Sequence, residues 1–461
     1  MFRDTRHIHL VAIGGVGMSG IAEVLLNLGF AVSGSDLRTG PVTDRLAALG
    51  ATVFAGHDAA HVEGADVVVR SSAVTEANCE VAAARARRIP VIRRAEMLAE
   101  LMRLKFGIAV AGSHGKTTTT TLVAAALAAG GLDPTVIVGG RIRAMGTNAV
   151  LGGGDHLVAE ADESDGTFLH LTPTIAVVTN IDLEHVDYYP DLDSLREAFA
   201  AFLARVPFYG ACVLCVDDPE VRTLLPQLDR QVITYGLAPG ADVRAEPLPL
   251  PAGQTGQVAR VLVRGEPAGE LRLALRGRHN LQNALAAVAV GLELGVPFGD
   301  LARGLAASQG VGRRLEEHGE HGRVLVIDDY GHHPTEVGAT LAVAREFGRP
   351  VAVLFQPHRY SRTARFAREF ADVLAGAGAV GLLPVYGAGE DPAAGCGSEG
   401  IAELLQAKGA ATVDLLAGMD AVPAWLERRV PGGSLLLTLG AGDIGREVAA
   451  VCAHLDGRGK G

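Results

Sequence analysis

The sequence predicts an α/β protein of three domains. Three observations carry this. A strand, a glycine-rich turn and a helix recur in that order at His7–Leu28 and at Ile108–Ala129, and another such turn follows the strand Ser434–Leu439. The chain has 461 residues, enough for about three domains at ~150 residues each. Its 59 glycines and only 5% aromatic residues fit many tight turns between elements packed through Ala, Val and Leu. The expected domains are residues 1–106, 107–315 and 316–461. Two Rossmann-like domains flank a central P-loop-type α/β domain that carries an added β-rich segment.

Composition narrows the function classes. Apolar residues make up 48% of the chain, so large cores can form. A net charge of −11 argues against a general nucleic-acid or anionic-membrane surface. Arg85, Arg87, Arg88, Arg93 and Arg94 read as a solvated helix face. The five cysteines are an odd set. Cys212 and Cys215 lie in the strand-like run Ala-Cys-Val-Leu-Cys-Val, where residues three apart face opposite sides, so a shared metal or disulfide is not expected. A reducing, cytoplasmic setting fits. No apolar run reaches the roughly 18 residues of a membrane span. The first apolar stretch is broken by Gly14, Gly15, Gly17 and Gly20 and lacks a signal-peptide layout.

In the first domain, His7–Ile13 reads as a strand, followed by a glycine loop and a helix to Leu28. Gly15, Gly17 and Gly20 satisfy G-x-G-x-x-G. A second strand, Ala31–Gly34, ends at Ser35 and Asp36, which places Asp36 to meet a ribose hydroxyl. The motif is weak alone, because Gly440–Gly445 matches it as well. Small residues also serve close packing of a helix on a strand. The diphosphate role is therefore assigned to the first loop. Asp66–Ser72 reads as a further strand and Ala95–Leu104 as a helix, with a boundary near Lys105–Phe106.

The central domain holds the stronger signal. The apolar run Ile108–Ala111 stops at Gly112, and Ser113, His114, Gly115, Lys116 and five threonines, Thr117–Thr121, precede an Ala/Leu-rich helix. Such a loop aims backbone N–H groups and a helix N-terminus at one small volume, which suits a polyphosphate. Lys116 would meet the β/γ-phosphates and Thr117 a magnesium ion. The general pattern wants glycine where Val110 stands, so this loop is short. Threonines are poor helix starters unless hydroxyls are needed there. The strand His156–Glu160 runs into Ala161–Phe168, and Thr174–Thr179 runs into Asn180–Asp187. In an open parallel sheet, this puts Glu163 and His185 on the edge that carries Lys116. Glu163 offers the hard oxygen that Mg2+ prefers, and His185 suits Mn2+ better. Residues 210–276 look β-rich, with paired strands at Gln257–Arg264 and Glu270–Leu275. Gly277–Asn283 opens a helix, with His279 and Asn283 near its start and Asn280 as a possible cap. Gly312–Glu316 closes the domain.

In the last domain the strands Arg323–Tyr330 and Val351–Phe355 each end in a loop dense with donors. Pro334 suits a first helical turn. His332, His358, Arg359 and Arg362 suit a carboxylate or phosphate.

Taken in order, the segments IGGVGMSGIAE, SGSD, GSHGKTTT, EADESDGTF, TNIDLEHVDYY, GRHNLQNALAA, GVGRRLE, DDYGHHPTE, FQPHRYSRT and GAGDIG resemble the Mur ligases along essentially the whole chain. The resemblance implies an ATP-dependent, amide-forming ligase of bacterial cell-wall synthesis that joins L-alanine to UDP-N-acetylmuramate. In that family ATP phosphorylates the muramic-acid carboxylate, the amine attacks the acyl phosphate, and ADP and phosphate leave. By resemblance, Gly112, Ser113, His114, Gly115, Lys116, Thr117 and Thr118 hold the ATP phosphates. His279 and Asn283 fall on the adenine side, and Arg314 and Asp329 on the cleft that closes over ATP. Thr117, Glu163 and His185 become Mg2+ positions, with Mn2+ as the alternative ion. Gly15, Val16, Gly17, Met18, Ser19 and Asp36, with Ser71, Ser72, Thr147 and Asn148, become the UDP-substrate site. Tyr330, His332, His358, Arg359 and Arg362 face the amino acid and acyl group. Lys116, His185 and Arg359 are the catalytic candidates. One departure stands out: several relatives carry a lysine soon after the metal histidine, modified to a carbamate, and none occurs here between His185 and Gly210. No nucleic-acid or membrane partner is expected, and the chain is expected to be a monomer or weak homodimer. The competing readings are a recycling ligase that adds a whole peptide, an NAD-dependent oxidoreductase resting on the first glycine loop, and a nucleotide-gated sensor.

Overall fold

The computed structural model describes residues 5–71, 73–142, 147–186, 188–250, 255–392, 395–409 and 412–458. Ser72, and the side chains of Val16, Thr147 and Asn148, lie outside the described residues. The chain forms two compact units, Met1–Val311 and Gly312–Gly461.

The first unit contains two sheets. The first sheet is built from β1 (His7–Val11), α1 (Val16–Asn27), β2 (Ala31–Asp36), α2 (Pro41–Ala48), β3 (Thr52–Ala55), β4 (Val67–Arg70), α3 (Cys79–Ala86), β5 (Val91–Arg93) and α4 (Arg94–Leu104). Its order is β3-β2-β1-β4-β5, with every pairing parallel. Strand order reverses beside β1, so the loop that follows β1 stands where ligands bind in open α/β sheets.

A polar network lies inside this sheet's edge. Glu80, in the first turn of α3, is fully buried. Its carboxylate accepts from Ser35 Oγ at 2.5 Å and contacts His61 Nδ1 at 2.7 Å and His57 Nδ1 at 3.2 Å. His9 Nε2 stands 3.8 Å away, and Phe54 stacks on His61. Burial alone would push Glu80 up, but His9, Ser35 and His61 hold it down at about 2.

The second sheet follows directly. It begins with β6 (Phe106–Ala111), then α5 (Lys116–Ala129), β7 (Thr135–Ile142), β8 (Thr147–Val150), β9 (His156–Glu160) and β10 (Ile175–Val178). β10, β6 and β9 are adjacent and parallel, so their C-terminal ends share one edge. Ala211–Cys215 and Gln231–Gly236 extend the sheet in parallel. Val243–Leu248 joins them, and the antiparallel strands Gln257–Val263 and Glu266–Leu273 complete it. The β-rich segment therefore lengthens the central sheet to ten strands. Strand alternation divides the core: Ile108 and Val110 face one apolar cluster, Ala109 and Ala111 the other. Cys212 and Cys215 divide the same way.

Three local expectations change. The threonines lie inside α5, and Thr119, Thr120 and Thr121 are buried. Thr120 and Thr121 donate their hydroxyls to the carbonyls of Lys116 and Thr117, four residues back, which is how a β-branched polar run stays helical. Only Thr117 and Thr118 remain near the loop. Asn280 is the third residue of the helix Arg278–Glu293, whose cap is Gly277; its amide donates to Arg276 O instead. Arg94 is not on a solvated face, since its side chain is only 25% exposed.

The second unit is a six-stranded sheet. Its order is Glu316–His321, Val324–Asp329, Leu435–Leu439, Val351–Phe355, Ala379–Leu382 and Thr412–Leu415, with only the first strand antiparallel. Gly312–Leu315 lies in this unit, tied by Arg313 Nε to Asp328 at 2.9 Å and by Leu315 N to Asp329 at 2.7 Å. Among the described residues no helix is long and apolar enough to cross a membrane.

A carboxyl whose folded pKa lies below its unfolded value stabilises the fold above the unfolded value. That contribution fades as pH falls from about 4.5 toward about 2 for Glu80. Glu80→Gln should cost about 2 kcal/mol at neutral pH. In melting curves taken across the acid window, wild type should lose stability faster than the variant, and parallel curves would exclude the network as the cause.

Candidate functional site

The loop between β6 and α5 is held from β10. Ser113 N donates to Asn180 O at 3.1 Å, and His114 N donates to Asn180 Oδ1 at 2.9 Å. Ser113 Oγ donates to Asp182 O and accepts from Asp182 N, both at 2.9 Å. His114 Nε2 meets Asp182 Oδ2 at 2.9 Å. Gly112 has φ +133°, and a Cβ there would overlap the Thr179 hydroxyl. Gly115 has φ +82° and lies against Asn283, whose Oδ1 would stand 2.9 Å from a Cβ. Both positions therefore need glycine for conformation and for space. Asn283 is thereby placed beside the loop, and His279 lies one turn earlier on the same helix.

Lys116 opens α5 and folds back over the loop. Its Nζ donates to Gly112 O at 2.7 Å and to both Glu163 oxygens at 2.8 and 2.9 Å. Glu163 is 1% exposed and comes from the loop after β9. Burial pushes Glu163 up to about 7, against the pull of Lys116. Burial would lower Lys116, but Glu163, Asp162 and Glu184 hold it above its ordinary value, so it stays charged. His185 has φ +53° and places Nε2 3.7 Å from Glu163 and 3.9 Å from Glu184. Donor atoms of Glu163, Glu184 and His185 all lie within 4.8 Å of one another. Two carboxylates and an imidazole at this spacing, with the half-buried Thr117 at the adjoining helix start, can hold a divalent cation.

The loop after β1 is arranged differently. Gly14 N donates to Asp36 Oδ2 at 2.9 Å, so Asp36 pins the loop to the end of β2. Gly15 caps α1, and Gly17 lies against Arg94. Met18 and Ser19 are buried. Ser71 follows β4, with its N–H on Val11 O at 3.4 Å. β7 and β8 pack on α1.

In the second unit the expected residues also converge. Asp329 is buried and accepts from Leu315 N and Gly331 N, both at 2.7 Å. Burial raises it to about 6 despite Arg314. Arg313 and Arg314 each stand 5.2 Å from the centre of the Tyr330 ring. His332 packs edge-on to both Tyr330 and His358. His358 stacks on Tyr386, 5.6 Å between centroids, and meets Arg362 Nη1 at 3.3 Å. Burial, His332, Arg362 and Arg359 push His358 down to about 4. Arg359 has φ +67° and caps the helix Tyr360–Arg365. By contrast, the Gly440–Gly445 loop is filled. The Gln356 side chain accepts from Ile444 N and donates to Asp443, and a Cβ on Gly440 would meet Gln356 O at 2.5 Å. Close packing explains its glycines.

Three family models cover the chain: Mur ligase family, catalytic domain, over 7–106; Mur ligase middle domain over 110–291; and Mur ligase, glutamate ligase domain, over 313–442. A UDP-N-acetylmuramate–L-alanine ligase of Desulfosudis oleivorans is 51% identical, covering 97% of this chain and 98% of its own. The chain belongs to the Mur ligase family. A similarly named relative from an Anaeromyxobacter species is 54% identical over 95% of each chain. The crystal structure of the UDP-N-acetylmuramate-alanine ligase of Thermotoga maritima matches with TM-score 0.76 at 29% identity, covering 96% of this chain and 98% of that one.

In this Mur ligase, sequence reasoning missed Glu184, Asp162, Asp182 and Tyr386. Glu184 stood in view, next to His185 in TNIDLEHVDYY, yet strand-edge logic selects a loop and not the side chain within it. Tyr386 lies in a loop without a motif, and only the fold brings it onto His358.

Gly112→Ala should lower stability by about 1–3 kcal/mol, because it combines a disfavoured φ with overlap on Thr179. Gly29→Ala has a similar φ sign but open space around it, and should cost less in the same denaturant titration.

Proposed function

We propose that this Mur ligase joins L-alanine to the carboxylate of UDP-N-acetylmuramate, using ATP through an acyl phosphate. The supporting observation is the cluster at the C-terminal ends of β6, β9 and β10: a phosphate-type loop, a charged, half-buried lysine, and three metal-type side chains. The names of relatives at about half identity over nearly the whole chain supply the substrates. A Mur ligase relative from Thermotoga maritima was solved with ADP, in the same fold.

A carboxylate is a poor electrophile. Its oxygen takes the γ-phosphoryl group and ADP leaves. The amine nitrogen then attacks the carbonyl carbon, phosphate leaves with one former carboxylate oxygen, and the amine gives up a proton. Lys116 and the N–H groups of the loop stabilise charge on the transferring phosphoryl group. Thr117, Glu163 and His185 would hold Mg2+, which screens phosphate charge when bound. Glu184 adds a carboxylate in a chain with no lysine between His185 and Gly210. The C-terminal unit supplies the amino-acid side. His358, held near 4, is neutral at pH 7, which leaves Arg359 and Arg362 as cations for the amino acid's carboxylate. The expected domains 1–106, 107–315 and 316–461 take the UDP-substrate, ATP and closing roles, with the last boundary moved to Gly312 because Gly312–Leu315 belongs to the closing unit.

ADP and phosphate release with UDP-N-acetylmuramate should be fastest with L-alanine in a panel that includes glycine and an L-alanyl peptide. Label from an ¹⁸O-carboxylate should reach inorganic phosphate. ADP release indifferent to the amino acid, or phosphate free of label, would refute the reading. Lys116→Ala should lower kcat by about 100- to 1,000-fold while UDP-N-acetylmuramate binding stays near wild type. Glu163→Gln, and to a smaller degree Glu184→Gln, should raise the magnesium concentration for half-activity. An unchanged requirement removes the residue from the metal shell.

A further inference from the structure

We propose that Arg94 clamps the diphosphate of the nucleotide-sugar substrate against the first glycine loop. This rests on assigning that loop to UDP-N-acetylmuramate. Arg94 opens α4 directly after β5. Its side chain is three-quarters buried, yet among the described residues it makes no hydrogen bond. The nearest counter-charge, Asp162 Oδ2, lies at 3.8 Å, beyond hydrogen-bond reach. Arg70 of the same sheet shows the ordinary arrangement, with its guanidinium bonded to Val74 O at 2.7 Å and Glu76 at 2.8 Å. A guanidinium carries five donors in a rigid fork, and leaving them unmade while largely buried is unfavourable.

The direction of the side chain identifies the missing partner. A Cβ on Gly17 would stand 2.9 Å from Arg94 Nη1 and 3.0 Å from its Cδ. Gly17 is thus the residue that admits the guanidinium to the start of α1. Met18 N and Ser19 N already donate to Gly15 O, which leaves the N–H groups of Val16 and Gly17 with no described acceptor. Gly14 N, the other nearby donor, is already taken by Asp36. The N–H groups of Val16 and Gly17 and the arginine fork therefore stand at the same helix start, with Asp162 at 3.8 Å the nearest described carboxylate. Two phosphate oxygens bridging fork and turn satisfy both sets, a geometry that arginine suits better than lysine. Asp162 keeps the guanidinium oriented without consuming its donors, and precedes Glu163 in the chain. Arg94 is thus a substrate-binding residue, and Asp162 its positioning residue.

The test is calorimetric binding of UDP, UMP and uridine, without ATP, to wild type, Arg94→Gln, Arg94→Lys and Gly17→Ala. Arg94→Gln should weaken UDP by about 10- to 100-fold, weaken UMP less, and leave uridine unchanged. Arg94→Lys should recover part of the loss, since charge returns without the fork. Gly17→Ala, which crowds only the movable end of Arg94, should reproduce the loss with the melting temperature kept. In turnover, KM for UDP-N-acetylmuramate should rise while KM for ATP holds. Arg94→Gln binding UDP like wild type would overturn the proposal, as would equal losses for UDP and uridine, which mark a structural role. Wild type that binds no UDP at all would instead remove the substrate assignment beneath it.

Discussion

The buried contact between Lys116 and Glu163 is the interaction on which the catalytic edge depends. A half-buried ammonium and a carboxylate that is 1% exposed stand in full hydrogen-bond contact. Such a pair adds little net stability, because desolvation offsets attraction, but losing one partner leaves the other stranded. Its value here lies in exchange. In the proposed reaction, Lys116 turns to phosphate and Glu163 to a cation, so each charge finds a partner of the same sign as the one it leaves. The pocket can then take a metal–nucleotide pair without an uncompensated buried charge at either end. The rise of Glu163 to about 7 is the cost that burial places on that carboxylate while the site holds only its own residues.

Two glycine loops with the same spacing have different roles, and their neighbours decide which. At Gly440–Gly445 the Gln356 side chain fills the turn and satisfies the helix start. At Gly14–Gly20 the residue opposite is a cation with spare donors. The spacing of glycines reports that two elements approach closely. It carries no information about whether protein or ligand fills the gap.

That distinction sets what was legible in the sequence. Strand-turn-helix order located β1, β6 and β10, and through them the shared edge that carries Lys116, Glu163 and His185, because a parallel sheet converts chain order into a common edge. The β-rich segment was visible as paired strands, but its continuity with the central sheet was not, since pairing partners far apart leave no local pattern. The threonine run misled: the hydroxyls of Thr120 and Thr121 serve helix carbonyls, a use that composition cannot separate from phosphate binding. Glu80 gave no signal either. Its three histidines come from β1 and the stretch after β3, and only folding brings them onto one carboxylate.

The end of β9 joins these themes. Asp162 and Glu163 are consecutive in the loop after β9, and their side chains have different partners. Here one carboxylate approaches Arg94 and the other bonds Lys116. A single dipeptide therefore borders both the glycine loop of the first sheet and the phosphate loop of the second. Asp162 also feels Lys116, which with Ser164 N keeps it below its ordinary value. The two adjacent acids thus set one cation beside each loop.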